Sequence, residues 1–268
     1  MIGLFDSGLG GLSVWRALKA AHPEASTLYL GDQGHAPYGP QPLERVRALT
    51  LVALEALRDA GATALVIACN TATAAAADAA RARWPNTPIV GIEPALKPAA
   101  AHTRTGVIAA LATQASFDSP RFALLAERYA SGVRLLTRAC PEWVALVEAG
   151  DVDGSAATRA VDAAVGPLLA AGADHLVLGC THFPFLSDQI EAVVATQFAQ
   201  RPITILDPAP AVIRQLHRVA GGSLTGCRAA TDRFMTTGDP VRFARTAARL
   251  LDRPPGTLRV DGIALDIP

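Results

Sequence analysis

Two short stretches of the sequence follow the same design and limit what the chain can fold into. They are residues 65–71 (LVIACNT) and 176–182 (LVLGCTH), and in each an apolar run ends in a cysteine followed by small hydrogen-bonding residues. A continuous apolar run of this kind is typical of a strand buried on both faces of a parallel sheet. Because ligands of such sheets bind beyond the carboxyl ends of the strands, Cys69 and Cys180 are expected at a ligand-binding edge.

A second pair of segments indicates that the two stretches belong to an internal repeat. Residues 88–95 (PIVGIEPA) match residues 202–209 (PITILDPA), with prolines at the first and seventh positions and an acidic residue before the second proline. The two cysteines are offset by 111 residues and the two proline motifs by 114. Repeat units of this length are half-domains rather than solenoid units. A lone free cysteine is usually buried core. Two cysteines at equivalent places in two halves favour a functional role instead.

Apolar runs and helix-favouring segments alternate along the chain. The predicted elements of the first half are, in order, a strand at 2–5, a helix to 21, a strand at 27–30, a helix at 43–60, the strand into Cys69, a helix at 72–83 and a strand at 88–92. Those of the second half are a strand at 105–111, a helix at 119–129, a strand at 133–136, helices at 141–149 and 156–171, and the strand into Cys180. This alternation predicts parallel strands joined by right-handed crossovers. The remaining segment has helices near 211–219 and 241–251 and a strand at 232–237, and we expect it to pack on the first half.

The sequence therefore predicts an α/β protein of two similar half-domains, each with a mostly parallel sheet flanked by helices. The halves are expected to be related by a pseudo-two-fold axis, with the active site in the cleft between them. The predicted boundaries are 1–97 plus 208–268 for the first domain and 98–207 for the second.

Composition excludes several classes of protein. Lys plus Arg and Asp plus Glu both number 24, so no global charge recruits nucleic acid or an anionic membrane. No apolar segment approaches the length of a membrane span, and the chain opens on a predicted strand rather than a signal peptide. Four widely spaced cysteines, without a CxxC pair or zinc-ligand spacing, indicate a reduced cytoplasmic protein. Cys140 and Cys227 are interpreted as structural.

A glycine-rich turn at residues 6–11 (DSGLGG) imitates a dinucleotide-binding fingerprint, with Asp32 at the end of the next strand. In that register Ser13 replaces the third glycine, and Asp6 and Ser7 stand where the strand should end. We therefore expect Asp6 and Ser7 to project into a ligand site above a tight turn with exposed backbone N–H groups.

Polar residues follow both cysteines. Asn70, Thr71 and Thr181 precede helices and suit a carboxylate ligand, and simple N-capping explains them as well. His182 lies two residues beyond Cys180 and could tune that thiol or share its proton. The other five histidines have no such context.

Two thiols at equivalent places suggest an unusual chemistry. A cysteine hydrolase needs one nucleophile and one base, whereas two separate thiols offer two acid/base groups on opposite sides of one carbon. Removing a proton from one face and returning one to the other inverts a stereocentre. The thiol pKa lies near enough to neutrality for one group to be a thiolate while the other stays protonated.

The chain resembles the glutamate racemase family, within the cofactor-independent aspartate/glutamate racemase superfamily, along nearly its whole length. The matching blocks are residues 2–11 (IGLFDSGLGG), 31–39 (GDQGHAPYG), 68–72 (ACNTA), 146–148 (LVE), 179–184 (GCTHFP) and 236–240 (TTGDP). The resemblance implies racemisation of glutamate by two cysteine bases, supplying D-glutamate for peptidoglycan in the bacterial cytoplasm. It also implies a homodimer with no pyridoxal phosphate, metal or nucleotide cofactor, and with no nucleic-acid or membrane partner.

The resemblance also assigns roles to individual residues. It implies that the catalytic residues are Cys69, Cys180, Asp6, His182, Asp32 and Glu148. It implies that glutamate is bound by Asp6, Ser7, Pro37, Tyr38, Gly39, Asn70, Thr71, Thr113, Thr181 and His182. Glu148 is assigned to the site only by the resemblance, since by itself it would be interpreted as part of a solvated helix end.

The sequence departs from the family in two places. Ala109 and Ala110 stand where the family usually has Gly-Thr after the first strand of the second half, so one possible substrate hydroxyl is missing, whereas Thr113 is kept. The loop reads Asp32-Gln33-Gly34-His35 where the family more often has a Thr and an Ala after the aspartate. Both departures bear on substrate affinity rather than on reaction type.

Two alternative functions remain open at this point. One is a racemase of the same superfamily with another substrate, such as aspartate. The other is a binding or regulatory protein that senses an amino acid and has lost catalysis. Intact Cys69 and Cys180 argue against a sensor, because sensing requires neither thiol.

Overall fold

The computed structural model describes residues 1–221 and 230–266, so that Cys227 lies outside the described residues. The contacts within the chain divide it into two compact units, Met1–Ile92 with Ala209–Pro268, and Glu93–Pro208. Within the described residues, no helix is long and apolar enough to cross a membrane.

The first unit is built on a six-stranded sheet in which all neighbouring strands run parallel. Its strands are β1 (Ile2–Asp6), β2 (Thr27–Gly31), β3 (Ala64–Ile67), β4 (Ile89–Gly91), β9 (Asp232–Thr236) and β10 (Val260–Gly262). Their order across the sheet is β10-β9-β2-β1-β3-β4. The helices of this unit are α1 (Leu12–Ala21), α2 (Leu43–Asp59), α3 (Asn70–Arg83), α10 (Ala209–Ala220) and α11 (Pro240–Leu250). A short 3₁₀ turn, Gln33–His35, follows β2.

The second unit is built on a four-stranded sheet that is also entirely parallel. Its strands are β5 (Val107–Ala112), β6 (Arg134–Ala139), β7 (His175–Leu178) and β8 (Thr204–Leu206), in the order β6-β5-β7-β8. Its helices are α4 (Leu96–His102), α5 (Gln114–Phe117), α6 (Pro120–Ala130), α7 (Pro141–Ala149), α8 (Ser155–Ala170) and α9 (Ser187–Gln197), with a 3₁₀ turn at Phe183–Leu186.

The two sheets confirm the repeat and the predicted α/β class. Strands β1 to β4 lie in the order 2-1-3-4, and β5 to β8 follow the same order. The two cysteine-bearing runs form β3 and β7, and every residue of both strands is buried, as expected for strands covered on both faces.

The C-terminal segment returns to the first unit as predicted, because β9 pairs along the edge of β2 with Thr27 opposite Asp232. The predicted elements do not include α4, α5, α9, β8 or β10. α4 has seven residues with Pro98 at its third position, and β10 has three residues with no apolar alternation. Such short elements are formed by tertiary packing rather than by local preference.

Candidate active site

Cys69 lies two residues beyond the end of β3 and is the N-cap residue of α3. Its sulfur accepts a hydrogen bond from the backbone N–H of Ala72 at 3.4 Å and lies 3.6 Å from the hydroxyl of Ser7. The side chain is largely buried. A thiol at a helix N-terminus faces backbone donors and the positive end of the helix dipole, and this environment favours the thiolate.

Asp6 ends β1, the neighbouring strand, and is fully buried. One of its carboxylate oxygens accepts the N–H of Gly8 at 2.7 Å. The glycine turn that follows packs closely: a Cβ at Gly11 would lie 2.6 Å from Cβ of Asp6 and 2.9 Å from the hydroxyl of Tyr29. The turn therefore needs glycine for its packing around Asp6, and this requirement explains the resemblance to a nucleotide fingerprint.

Asp32 follows β2 and is also fully buried. It accepts a hydrogen bond of 2.6 Å from the Tyr38 hydroxyl and lies 2.8 Å from Nδ1 of His35. Burial, and then the charge of Asp32, raises the pKa of Tyr38 far above its usual range, so that Tyr38 keeps its proton and acts as a donor. His35, a histidine to which the sequence pattern assigns no role, is thus a partner of Asp32.

Asn70 and Thr71 form the first turn of α3 and are both buried. The side-chain amide oxygen and nitrogen of Asn70 have no hydrogen-bond partner within residues 1–221 and 230–266. Leaving a buried polar group unsatisfied costs about 1–3 kcal/mol. An amide in this state, one residue from Cys69, is suited to a polar ligand.

In the second unit, Cys180 lies two residues beyond the end of β7. Its sulfur is 3.5 Å from Nδ1 of His182, and Nε2 of His182 is 2.8 Å from a carboxylate oxygen of Glu148. Burial lowers the pKa of His182, but hydrogen bonds to Cys180 and Glu148 and their negative charges raise it more, so its pKa lies well above the ordinary value. The histidine thus connects the thiol to a carboxylate.

Glu148 reaches His182 because of where α7 ends. The C-cap residue of the helix is Gly150, which has a positive φ of 74°, and the N–H of Asp151 donates a hydrogen bond to the carbonyl oxygen of Leu146. This glycine-terminated end is a common helix C-cap. It leaves Glu148 only partly exposed, in contrast to the solvated helix end that the sequence alone would suggest.

Thr113 follows β5 and caps α5, where its hydroxyl accepts the N–H of Ser116 at 3.3 Å. Thr181 is buried next to Cys180. Ala109 and Ala110 lie inside β5 rather than after it, and both are fully buried. The expectation of a missing hydroxyl on the strand-end loop is therefore wrong in its placement, since a hydroxyl at these positions would stand within the sheet.

Cys140, the third described cysteine, lies at the N-terminus of α7 and is fully buried. Burial, and then the charge of Glu142, raises the pKa of the Cys140 thiol to about 12, although Arg138 lowers it. This thiol stays protonated at neutral pH, in keeping with a structural role.

The predicted site residues divide between the two units, with one of the two predicted cysteine bases in each. The first unit contains Asp6, Ser7, Asp32, Pro37, Tyr38, Gly39, Cys69, Asn70 and Thr71, and the second contains Thr113, Glu148, Cys180, Thr181 and His182. All of them except Glu148, which lies near the end of α7, follow the carboxyl ends of neighbouring parallel strands. Among the described residues, no cluster of three or more His, Cys, Asp or Glu side chains could hold a metal ion.

Comparison with known proteins identifies relatives along the whole chain. The model of the Asp/Glu/hydantoin racemase family matches residues 13–216. A glutamate racemase from Ectopseudomonas mendocina is 44% identical over 252 residues, which cover 93% of this chain and 94% of the relative.

Solved structures give the same result. A glutamate racemase isoform from Bacillus anthracis superposes with a TM-score of 0.87 at 30% identity, covering 100% of this chain and 98% of the other. The Escherichia coli glutamate racemase, solved in complex with L-glutamate and the activator UDP-MurNAc-Ala, superposes with a TM-score of 0.84 at 26% identity, covering 99% and 98%.

Proposed function

Because the chain belongs to the Asp/Glu/hydantoin racemase family and spans nearly the full length of glutamate racemases, we propose that it interconverts L- and D-glutamate by two-base proton transfer at the α-carbon. The observation that carries this proposal is the pair of thiols at equivalent strand ends of two repeated sheets. Each unit supplies one acid/base group, as inversion of a stereocentre requires.

The reaction balances with the protein's own groups. From L-glutamate, the Cys180 thiolate takes the α-proton, and the C–H electron pair stays on the substrate, delocalised towards its carboxylate. The Cys69 thiol then gives its proton to the opposite face, leaving D-glutamate, a Cys180 thiol and a Cys69 thiolate. The reverse direction begins at Cys69. His182, which is held by a hydrogen bond to Glu148, assists proton transfer at Cys180. Asp6 lies in the unit that contains Cys69.

The two-base proposal has a geometric requirement. It requires that, when glutamate is bound, the two sulfurs lie on opposite sides of the α-carbon, each about 3–3.5 Å from the reacting centre and hence roughly 6–8 Å apart. A crystal structure with bound D-glutamate tests this. Sulfurs on one side of the ligand, or joined as a disulfide, would contradict it.

Substrate binding is proposed to use the polar strand-end residues of both units. The buried amide of Asn70, which lacks a partner among the described residues, gains hydrogen bonds when glutamate enters. Backbone N–H groups at the start of α3 suit one of the substrate carboxylates. The complete proposed set is Asp6, Ser7, Pro37, Tyr38, Gly39, Asn70, Thr71, Thr113, Thr181 and His182.

The physiological role proposed here is the supply of D-glutamate for peptidoglycan synthesis in the cytoplasm. Expression of the chain in a bacterial strain that depends on added D-glutamate should restore growth without the supplement, and the double variant Cys69→Ala/Cys180→Ala should not. We also propose a homodimer, which light scattering coupled to gel filtration would detect as twice the 27.8 kDa chain mass.

The decisive experiment is an assay of chiral inversion with no added cofactor. Purified protein should convert either enantiomer of glutamate into an equal mixture, and it should act poorly on aspartate. Faster inversion of aspartate would assign a different substrate within the family. Binding of glutamate without inversion of either amino acid would identify a sensor.

A further inference from the structure

We infer that Thr237 is a positioning residue for the proposed reaction, because through Asp32 it holds the loop that carries Tyr38 and Gly39. The inference rests on the proposed function and concerns a residue outside the predicted site. Thr237 lies in the turn between β9 and α11, 205 residues from Asp32 in the sequence.

The side chain of Asp32 has three donors that come from two segments of the chain. The hydroxyl of Thr237 donates to Oδ1 at 2.5 Å, Nδ1 of His35 lies 2.8 Å from the same oxygen, and the hydroxyl of Tyr38 donates to Oδ2 at 2.6 Å. A carboxylate offers about four lone-pair sites. Most of the hydrogen-bonding capacity of Asp32 is therefore committed to holding its own loop, residues 33–39, against the β9–α11 turn.

Thr237 also binds the backbone of that loop directly. Its hydroxyl accepts the backbone N–H of Gly34 at 2.9 Å while it donates to Asp32. One hydroxyl thus connects the backbone of the loop to the carboxylate that anchors Tyr38. Since Tyr38 is almost fully buried and its neighbour Gly39 belongs to the proposed glutamate site, a shift of this loop reaches the ligand.

The backbones of the loop and the turn also pack closely around this contact. A Cβ at Gly34 would lie 2.8 Å from the backbone oxygen of Thr237, and a Cβ at Gly238 would lie 2.9 Å from Cβ of Gln33. Gly34 stands in the loop whose sequence departs from the usual family pattern. The absence of a side chain there is what allows the turn to approach.

A variant series separates positioning from general stability. Thr237→Val removes the hydroxyl at nearly constant volume, and Thr237→Ser restores it. Thr257→Val is the matched control, because Thr257 is exposed and its hydroxyl donates to the carbonyl of Pro254 instead. The readouts are kcat and KM from each enantiomer, the Kd of D-glutamate by calorimetry, and the Tm.

We expect Thr237→Val to raise KM about tenfold in both directions, and to weaken D-glutamate binding similarly, while kcat changes less than about threefold. The thiols keep their places, so the loss falls on binding. Thr237→Ser and Thr257→Val should behave as the wild type. Gly34→Ala, which forces the β9–α11 turn away from the loop, should raise KM in the same way. It replaces Thr237→Val as the test if that variant fails to fold.

Two results would overturn the inference. One is a KM unchanged in both Thr237→Val and Gly34→Ala, and the other is a fall in kcat alone. If the wild type is active, either result contradicts only the positioning role of Thr237. A wild type that inverts no glutamate removes the proposed function itself.

Discussion

The surroundings of Cys69 and Cys180 differ, although the two residues occupy equivalent places in repeated sheets. Cys69 lies against a hydroxyl and a backbone N–H, with the buried carboxylate of Asp6 at the end of the neighbouring strand. Cys180 lies against His182, which a carboxylate holds from the other side. The repeat has therefore kept the backbone position of the thiol and not its proton partners.

This difference has a chemical consequence. A nearby carboxylate opposes a thiolate, whereas an imidazolium favours one. We therefore expect proton transfer at each cysteine to depend on a different set of partners. If this asymmetry governs the two directions of the reaction, substitutions at the thiols and at their partners should have different effects on each direction.

Removing either thiol should abolish measurable racemisation. Cys69→Ala and Cys180→Ala each remove one of two required proton carriers, and a positioned acid or base contributes about 10²–10⁴-fold. Initial rates by circular dichroism from both enantiomers measure the loss. Cys140→Ala, which removes the third described thiol, is the control and should keep its activity. Near-normal inversion in either single variant would eliminate that thiol as a base.

The partners of the thiols should affect the two directions unequally. Asp6→Asn and His182→Asn should each lower kcat by about tenfold or more in one direction, with opposite preference. Because the equilibrium between enantiomers is unity, the imbalance can appear only in the separate kcat and KM values and never in the ratio of kcat/KM. Equal losses of kcat in both directions would mean that these groups organise the substrate instead.

A smaller effect is expected for Glu148→Gln, which probes the raised pKa of His182. In the direction from D-glutamate, Cys180 must deliver a proton, so the Cys180–His182 pair must hold one. The negative charge of Glu148 helps raise the pKa of His182 and retains that proton to higher pH. Its removal should move the alkaline limb of kcat from D-glutamate to lower pH.

The control for this change is Glu142→Gln, on the same helix but exposed. It should leave the alkaline limb where it is in the wild type. If the alkaline limb of Glu148→Gln lies at the same pH as that of the wild type, His182 does not share the proton that Cys180 delivers.

Local pattern was sufficient to predict the parallel sheets and the two strand-end cysteines. An apolar run with a cysteine at its end is contiguous in sequence, and β3 and β7 formed where such runs occur. Contacts between distant segments have no such signal. Glu148 and His182 are 34 residues apart, and Asp32 and Thr237 are 205 apart, so neither pair appears as a pattern.

Family resemblance supplied part of what pattern could not. It assigned Glu148 to the site, although its default interpretation was a solvated helix end. It gave no reason to select His35 or Thr237, whose contacts with Asp32 depend on the close approach of two loops. A glycine at position 34 was the available signal, and its meaning required the position of the β9–α11 turn.

The smallest effect concerns the residue before each cysteine, Ala68 in the first unit and Gly179 in the second. Both donate a backbone hydrogen bond of 2.7 Å to the neighbouring strand, from Ala68 to Phe5 and from Gly179 to Leu111. The side chains differ because the second unit leaves no room: a Cβ at Gly179 would lie 2.9 Å from the backbone oxygen of Leu111 and 3.0 Å from Cβ of Ala112.

The substitutions Gly179→Ala and Ala68→Gly test whether each sheet accepts the residue that precedes the cysteine in the other sheet. Gly179→Ala should destabilise the protein by about 1–3 kcal/mol, since the end of β7 must move away from β5. Ala68→Gly should cost only about 1 kcal/mol, from the lost methyl group and the freer unfolded backbone. Thermal unfolding measures both, at roughly 2–4 °C per kcal/mol for a chain of this size. A Gly179→Ala protein as stable as the wild type would mean that β5 and β7 can separate at no cost. The glycine before Cys180 would then have no packing role that distinguishes its sheet from that of Cys69.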